Sequence, residues 1–366
     1  MWWLVHGYLF ALSFALSLLL TPLARGIAVR AGLVDVPGAR KAHRGPTPLL
    51  GGAAIYGTVS LAILLNAALA LLASAGGPLR ACLPPGLFPY LAGALDVAPK
   101  LGVILLGGLV VFLLGLWDDA VDLPPRVKLL GQVLVAVGLV ALDVRITIFV
   151  PSYPFSVLAT VAWIVLVVNS FNLLDNMDGL CAGVALIVSA LMGGISALSG
   201  NYFIASAFAI LAGALLAFLF FNFHPARIFL GDAGAMFVGY YIAVMSVMQT
   251  WYRHSVTGSL AVAMPLVILA VPIYDTLSVI FIRVSRGQSI FRADRRHFSH
   301  RLANLGMSVR GAVLFVYLVT LCTGLSAAFL PRVGWRGGLV VFVQVGLIVS
   351  VIAVLEYFGS KRNGGA

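Results

Sequence analysis

Eleven long apolar stretches constrain what this chain can fold into. A helix needs about 20 apolar residues to cross a membrane, and such runs recur along the whole sequence. They lie roughly at residues 4–24, 50–73, 98–116, 129–149, 156–170, 180–199, 202–222, 235–250, 258–282, 311–330 and 338–358. The weakest are 129–149, which Asp143 and Arg145 interrupt, and the short 156–170. We predict an all-α integral membrane protein, a polytopic bundle of about eleven transmembrane helices in which residues 1–366 form a single domain.

The composition supports this class and excludes an ordinary soluble domain. Hydrophobic residues make up 61% of the chain and charged residues 10%, and the mean hydropathy is +1.08. Soluble domains have about 45–50% apolar and about 25% charged residues. The net charge of +11 therefore points to cytoplasmic loops and to anionic lipids or substrates rather than to nucleic acid.

Basic residues predict the orientation. The loops after odd-numbered stretches and the C-terminal tail hold 17 of the 23 Lys and Arg residues, and the opposite loops hold 6. Positive charge concentrates in cytoplasmic loops, so we predict an external N-terminus and a cytoplasmic C-terminus. The acids were not used in that assignment, and most of them fall on the same side: Asp35, Asp118, Asp119, Asp122, Asp175, Asp178, Asp232 and Asp294. Asp275 lies within the ninth stretch, and Asp96 and Asp143 fall on the external side of the membrane. This clustering predicts an active site at the cytoplasmic face.

The first polar segment runs from Asp35 to Gly52 and mixes basic residues with Pro and Gly just before the second stretch. Lys41 and His43 lie in its middle. One interpretation is a basic anchor at the membrane surface, and the other is a clamp for an anion. The paired Gly51 and Gly52 would allow close approach of another backbone.

The second segment, residues 117–132, contains three acids in five positions. Asp118 and Asp122 are four residues apart and would share a helix face, with Asp119 beside them. Such acids repel one another unless a cation is bound, and Mg²⁺ takes one or two carboxylates together with substrate phosphates and water. Lys128 would add positive charge for a phosphate. The alternative is a solvated cytoplasmic turn.

The third segment, residues 169–179, carries Asn169, Asn172, Asp175 and Asp178 at steps of three residues. Steps of three turn a helix by about 300°, so the last three side chains fall within an arc of about 120°. Carboxylates and carboxamides beside a membrane are costly unless they bind something. The alternative is that the two acids only cap the following helix.

The fourth segment contains Asn222, His224, Phe229 and the turn Gly-Asp232-x-Gly. The turn would hold the Asp232 carboxylate in a geometry that suits a metal ligand, and Phe229 is a candidate for stacking on a base. Taken alone, His224 and Phe229 are as readily ordinary interface residues.

The last segment, residues 283–310, carries seven Arg and two His. His297 and His300 are three residues apart and would face one site, and Arg301 belongs to a residue type suited to bidentate phosphate contact. The alternative is binding of lipid head groups.

Taken together, these segments resemble the polyprenyl-phosphate N-acetylhexosamine-1-phosphate transferases, and the likeness covers roughly residues 4–330. The sequence looks more like the branch that uses N-acetylglucosamine 1-phosphate than the branch that uses phospho-muramoyl-pentapeptide. Five motifs carry the resemblance in order: Asp35-x-Pro-x-x-Arg-Lys41-x-His43 with Gly51-Gly52, Asp118-Asp119, Asn169-x-x-Asn172-x-x-Asp175-x-x-Asp178-Gly-Leu, Asn222 with Phe229-x-Gly-Asp232-x-Gly, and Asp294-x-x-His297.

The resemblance implies a Mg²⁺-dependent enzyme, with Mn²⁺ as an alternative ion, in a bacterial inner membrane. It implies that Asp232 holds the metal and that Asp118 and Asp119 lie near the metal and the lipid phosphate, one of them being an option for accepting a proton. The other implied contacts are the nucleotide sugar for Asn172, Asp175 and Asn222, uracil for Asp178 and Phe229, and the diphosphate for Lys128 and His297. We therefore predict catalytic roles for Asp118, Asp119, Asn172, Asp175 and His297, and further substrate contacts for Lys41, His43, Asn169, His300 and Arg301.

Two positions depart from the family pattern. The late loop of the family usually reads His-x-His-His, whereas this chain has Ser299 at the second His. The central loop usually reads Asp-Gly-x-Asp-Gly, whereas this chain has Asn176 at the first Gly. Asn tolerates left-handed backbone geometry better than most residues.

The functional hypothesis is transfer of an N-acetylhexosamine 1-phosphate, with GlcNAc 1-phosphate preferred, from a UDP-sugar to undecaprenyl or another polyprenyl phosphate. UMP would leave, and the product would begin a cell-envelope polysaccharide pathway. The expected partners are the UDP-sugar, the lipid phosphate and the membrane, without nucleic acid, and a homodimer is one option for the assembly. An intramembrane prenyltransferase would instead need two Asp-x-x-x-Asp motifs, and a secondary transporter would need polar residues at mid-span and paired broken helices in two repeats.

Overall fold

A computed structural model of the protein describes residues 1–35, 45–75, 80, 84–147, 152–249, 259–290 and 297–363, and for residues 357–363 the backbone alone. The described chain is almost wholly helical, which confirms the predicted all-α membrane fold. The helices are α1 (Trp2–Ala31), α2 (Gly51–Ser74), α3 (Phe88–Val121), α4 (Pro125–Ala141), α5 (Tyr153–Leu174), α6 (Leu180–Leu198), α7 (Tyr202–Asn222), α8 (Gly231–Met248), α9 (Met264–Ile268), α10 (Ala270–Ser285), α11 (Phe298–Asn304), α12 (Val309–Ala327) and α13 (Trp335–Asn363). Strands β1 (Val34–Asp35) and β2 (Thr47–Pro48) pair antiparallel, and 3₁₀ turns lie at Pro85–Leu87 and Ser259–Ala263.

Every predicted stretch coincides with a helix, although one helix is shorter than its stretch. Among the described residues nine helices are long and apolar enough to cross a membrane, or ten if α9 and α10, which meet at a bend of 69°, form one broken span. The shorter helix is α4, which has 17 residues instead of the predicted stretch 129–149. The helix ends at Ala141 because Asp143 turns into a left-handed conformation (φ 62°) just beyond it.

Local sequence signals explain where several helices begin and end. The side chain of Asn201 accepts a hydrogen bond from the backbone N–H of Ile204 at the start of α7, and Ser308 accepts one from Gly311 at the start of α12. These are the usual side-chain caps of helix N-termini. Gly32 adopts φ 71° directly after α1, which is the left-handed conformation that ends a helix most cheaply with glycine.

Helix α8 is the centre of the bundle. It packs against α2, α3, α5, α6 and α7, and 83% of its residues are buried inside the protein. Small residues allow this close packing: a Cβ at Gly115 would lie 2.5 Å from Cα of Ala233, and one at Gly52 would lie 2.3 Å from the backbone N of Gly234. Backbones that approach closely gain dispersion contacts that lipid does not provide. The N-terminus of α8 is therefore fixed between α2 and α3.

The helix ends assigned to the cytoplasm meet at one end of the bundle. The backbone N–H of Gly51 donates to Phe229 O (3.0 Å), and the N–H of Gly52 donates to Leu230 O (2.9 Å). The N–H of Phe229 donates to Pro48 O (2.8 Å). These bonds confirm the close backbone approach expected at the two glycines, and they join the start of α2 to the loop before α8.

Candidate active site

The end of α3 and the start of α4 bring an acid and a lysine together. Lys128 Nζ lies 2.6 Å from Asp118 Oδ2, and the backbone N–H of Leu123 donates to Asp118 Oδ1 (2.7 Å). Burial lowers the pKa of Lys128, but the bond to Asp118 and the neighbouring Asp232 and Asp122 carboxylates outweigh it and raise that pKa above its usual value. The lysine is therefore a fixed cation beside a carboxylate that is only 4% exposed.

The structure corrects the placement of Asp122. We predicted that Asp118 and Asp122 share a helix face, but α3 ends at Val121 and Asp122 has a left-handed backbone (φ 54°) with its N–H bonded to Asp118 O. Its side chain is exposed. Asp122 is therefore the residue that turns the chain towards α4, and it does not share a helix face with Asp118.

Asp119 caps the first turn of α8. Its two carboxylate oxygens accept hydrogen bonds from the backbone N–H groups of Asp232 (2.8 Å) and Ala233 (3.1 Å). The turn before them is made by Gly231 at φ 73°, a conformation that side chains rarely adopt. Asp119 therefore fixes the position of Asp232, a role that the spacing of the acids did not reveal.

Asn172 and Asp175 approach the same turn from the end of α5. Asn172 Nδ2 donates to Asp232 Oδ1 (2.7 Å), and Lys128 Nζ lies 3.8 Å from Asp232 Oδ2. Asp175 directly follows the last residue of α5. Burial raises the pKa of the Asp175 carboxyl to about 8, and the Asp119 and Asp178 carboxylates add to the effect. Residues from four helix ends thus converge as the sequence predicted.

This carboxylate cluster (Asp118, Asp119, Asp175 and Asp232) places four acids next to one described cation, and the raised pKa of Asp175 reflects its burial and that crowding. Within the described part of the chain, its ion pairs involve Lys128 alone. The side chain of Asp232 is nevertheless 36% exposed and open to a ligand. Since buried like charges repel strongly at short range, the arrangement is suited to a cation or to a substrate that brings one.

The residues predicted to hold the nucleotide form a second group, and several of their side chains already bond to other groups of the protein. Asn222 is buried; it accepts from the N–H of Gly179 (3.1 Å) and donates to Ile228 O (2.9 Å). Asp178 Oδ2 lies 2.7 Å from His224 Nδ1 and accepts from the N–H of Ala226 (3.1 Å). Asn222 therefore joins the start of α6 to the loop before α8 rather than facing a ligand.

Asn169 is also bound within the protein. Its Nδ2 donates to Gln132 Oε1 on α4 (2.5 Å) and to Val165 O (2.8 Å). The contact joins α5 to α4 through Nδ2, and the predicted substrate contact by Asn169 stays a prediction. Phe229 is half-buried, and its backbone pairs with Pro48 and Gly51 as described above.

The short helix α11 contains the late-loop residues. Ser299 Oγ donates to Asn176 Oδ1, so α11 lies against the turn that follows Asp175. The two positions that depart from the family pattern thus contact each other. Arg301 forms an ion pair of 2.9 Å with Glu356, without the angle of a hydrogen bond, and donates to Ser278 Oγ (2.8 Å). Arg301, predicted to bind phosphate, is therefore engaged with α13 and α10.

His297 has a partner that the sequence did not assign. Its Nδ1 lies 3.0 Å from Asp275 Oδ2 on α10, and both side chains are buried. The signal that could have found this partner is the acid itself, since an ionisable residue inside a membrane span is a candidate functional residue by default. His300 lies on α11, and Lys41 and His43 lie outside the described residues.

Comparison with known proteins identifies the family. The chain is 32% identical over 357 residues to a probable undecaprenyl-phosphate N-acetylglucosaminyl 1-phosphate transferase of Bacillus subtilis, and the alignment covers 94% of this chain and 90% of the relative. The chain belongs to the polyprenyl-phosphate N-acetylhexosamine-1-phosphate transferase family. The family model described as glycosyl transferase family 4 matches residues 101–250 of this transferase, the part that contains the carboxylate cluster.

Two further relatives agree. The transferase is 33% identical over 320 residues to a decaprenyl-phosphate N-acetylglucosaminephosphotransferase of Mycolicibacterium smegmatis, with 80% of this chain and 74% of the relative covered. It is 27% identical over 373 residues to an undecaprenyl-phosphate alpha-N-acetylglucosaminyl 1-phosphate transferase of Yersinia pestis, with 97% and 89% covered. The resemblance stated from the five motifs is confirmed.

Proposed function

We propose that this transferase moves N-acetylglucosamine 1-phosphate from UDP-N-acetylglucosamine to undecaprenyl phosphate or another polyprenyl phosphate. The observation that carries the proposal is the meeting of Asp118, Lys128, Asn172 and Asp232 at one end of an apolar bundle. The names of the relatives supply the class of lipid phosphate and sugar phosphate.

In the proposed reaction an oxygen of the lipid phosphate attacks the sugar-linked phosphorus of the nucleotide sugar. The bond from that phosphorus to the bridging diphosphate oxygen breaks, UMP leaves, and a lipid-diphosphate-sugar remains. Such a transfer depends mainly on alignment and on neutralisation of charge. A phosphate monoester is already largely ionised near pH 7, so the need for a general base is modest. Asp118, whose oxygens accept from Lys128 and Leu123, would act mainly through its charge.

The protein's own groups provide the alignment. Asp119 holds the start of α8, and through it the backbone of Asp232. Asn172 orients the Asp232 carboxylate by donating to one of its oxygens. Lys128 is placed between Asp118 and Asp232, where its charge would face the diphosphate.

The residues fit Mg²⁺, with Mn²⁺ as an alternative. Among the described residues no group of three or more His, Cys, Asp or Glu side chains could hold a metal by itself. Mg²⁺ does not need one, because it is usually bound by one or two carboxylates with substrate phosphates and water. Asp232, which is partly exposed, and Asp118 beside it would hold the ion. When bound, Mg²⁺ neutralises charge on the phosphates during transfer.

Other assignments complete the proposal. Asp175 would line the nucleotide-sugar site, Asp178 and Phe229 would contact uracil, and His297 and His300 would contact the diphosphate. The Lys and Arg distribution supports a site facing the cytoplasm of a bacterial inner membrane, with the N-terminus outside. The lipid-linked sugar would begin a cell-envelope polysaccharide.

The test is transfer of label from UDP-N-acetylglucosamine to undecaprenyl phosphate by the purified full-length protein. We expect UMP and a lipid-diphosphate-sugar of the matching mass, formed with Mg²⁺ or Mn²⁺ and not in excess EDTA. A panel of UDP-sugars then identifies the preferred aminosugar, and light scattering of the same preparation shows whether it is a homodimer. Release of inorganic diphosphate from a prenyl diphosphate would instead indicate a prenyltransferase. Label moved across vesicles without a new product would indicate a transporter.

A further inference from the structure

Asp275 is a buried acid to which the sequence assigns no function. It lies on α10, the second half of the bent pair, and is 1% exposed. An ionised carboxylate in such a place is costly unless it is paired and hydrogen-bonded. Its partners therefore indicate why the chain keeps it.

Both oxygens of Asp275 are directed at the start of α11. Oδ1 accepts a hydrogen bond from the backbone N–H of Phe298 (2.6 Å), the first residue of that helix. Oδ2 lies 3.0 Å from Nδ1 of His297, the residue before it. One carboxylate thus holds the backbone next to the imidazole and the imidazole itself.

The contact determines which ring nitrogen remains available. An ionised carboxylate only accepts hydrogen bonds, so Nδ1 of His297 carries the proton in this pair. Nε2 is then the nitrogen left for a ligand. A ring that also donates through Nε2 to a phosphate oxygen is an imidazolium, and Asp275 is the counter-charge such a buried cation requires.

We propose that Asp275 is a positioning residue for sugar-phosphate transfer, which keeps Nδ1 of His297 turned inward and presents Nε2 to the substrate diphosphate. The inference rests on the proposed function. It assigns Asp275 no contact with substrate, because its oxygens are engaged with His297 and Phe298. The competing explanation is that Asp275 only fastens α11 to α10.

A double-mutant cycle measured in both kcat/KM and melting temperature separates the two explanations. Residues that act through each other are non-additive, and a fastening role would lower the melting temperature in parallel with kcat/KM, whereas positioning lowers kcat/KM in a protein that melts near the wild-type temperature. The four proteins are the wild type, Asp275→Asn, His297→Gln and the double variant, each as purified full-length transferase. Asn keeps an acceptor for the N–H of Phe298 but no longer dictates the histidine tautomer. We expect Asp275→Asn to lower kcat/KM for UDP-N-acetylglucosamine about 10- to 100-fold in the wild-type background, as for other orienting partners of a ligand-binding histidine. In the His297→Gln background the same change should have almost no further effect.

The matched control is Thr276→Val, the next residue on α10. Thr276 is also buried, and its hydroxyl bonds to Pro272 O (3.0 Å) and approaches Ser170 Oγ (3.1 Å) rather than His297. Its effect should be the same in both backgrounds. Equal losses from Asp275→Asn in both backgrounds would overturn the inference, and so would full activity of His297→Gln in an otherwise active enzyme. A wild-type protein that forms no lipid-linked sugar would reject the proposed function itself.

Discussion

Two groups of polar side chains meet at the same end of this bundle, and they differ in how their charges are compensated. In the carboxylate cluster Lys128 pairs with Asp118 and Asp232 among the described residues, and Asp232 is still partly exposed. Around α11 each charge has a partner: Asp275 has His297 and a backbone N–H, and Arg301 has Glu356. The surplus of acids over cations suits a divalent cation, which would in turn bind a diphosphate, whereas the paired charges hold one helix in place.

The largest effect should follow removal of one negative charge from the cluster. Asp232→Asn keeps an oxygen that can accept from Asn172, and its backbone N–H can still donate to Asp119, so the fold should survive. Because charge stabilisation at the reacting phosphate depends on the carboxylate, kcat should fall at least about 100-fold. The measurement is UMP release at saturating substrates, with size-exclusion chromatography to verify folding.

Asp96→Asn is the matched control for that variant. Asp96 lies on α3, 22 residues before Asp118 and so about 33 Å away along the helix. Turnover by the Asp96→Asn enzyme should equal that of the wild type. If Asp96→Asn were inactive while folded, or Asp232→Asn active, the assignment of the site to this end of the bundle would be wrong.

The second-largest effect should follow replacement of Lys128, the cation beside Asp118. Lys128→Gln removes the 2.6 Å contact to Asp118 and leaves that buried carboxylate uncompensated. We expect kcat/KM for the UDP-sugar to fall about 10- to 100-fold, since a hydrogen bond to a charged group contributes about 1.5–3 kcal/mol.

Arg145→Gln is the control for Lys128→Gln, because Arg145 pairs with Asp143 (2.9 Å) where both side chains are more exposed. Exposed pairs contribute little, so this variant should stay within about twofold of the wild type. A Lys128→Gln enzyme with normal kcat/KM would show that the lysine only balances Asp118.

The sequence predicted which residues form the site, because it showed on which side of the membrane each helix end lies. Asp118, Asn172 and Asp232 each lie at a helix end, and counting spans places those ends on one side whatever the tertiary packing. The convergence of these residues could therefore be predicted without knowing which helices are neighbours. The same count gave α4 too great a length, because the conformation of Asp143 that ends this helix is a local backbone property.

Partner choice could not be predicted in the same way. Asn222 bonds to Gly179, which is 43 residues away, and Asn169 bonds to Gln132, 37 residues away. These contacts depend on which helices pack together, and apolar helices of similar composition do not encode that visibly. Asp119 resembled a second metal ligand because a helix cap and a ligand require the same carboxylate.

A smaller effect should come from the contact between Ser299 and Asn176. Ser299 is 1% exposed, so a histidine at this position, although usual in the family, would displace the Asn176 side chain. Overpacking of this kind costs about 1–3 kcal/mol, and Ser299→His should lower the melting temperature and reduce kcat moderately. Adding Asn176→Gly should recover much of both losses, because it removes the side chain that occupies the space.

The melting temperature and kcat of the two single variants and the double variant show whether the side chains at positions 299 and 176 compete for the same space. Asn176→Gly alone is the control for the loss of the hydrogen bond. If Ser299→His alone matched the wild type in both quantities, or if the double variant were worse than either single variant, the two positions would not be exchanging space.

The smallest effect on turnover should come from Glu356, which belongs to the paired charges around α11. It pairs with Arg301 and accepts a hydrogen bond from Tyr274 OH (2.9 Å), so it joins α13 to α11 and α10. Glu356→Gln removes the charge and leaves one acceptor oxygen, so the bond from Tyr274 OH can be kept while the ion pair with Arg301 is lost. Because the pair is largely buried, we expect a clear decrease in melting temperature with kcat unchanged. A large loss of kcat without loss of stability would place Arg301 on the substrate after all, and the distinction between excess charge for chemistry and paired charge for structure would then fail at α11.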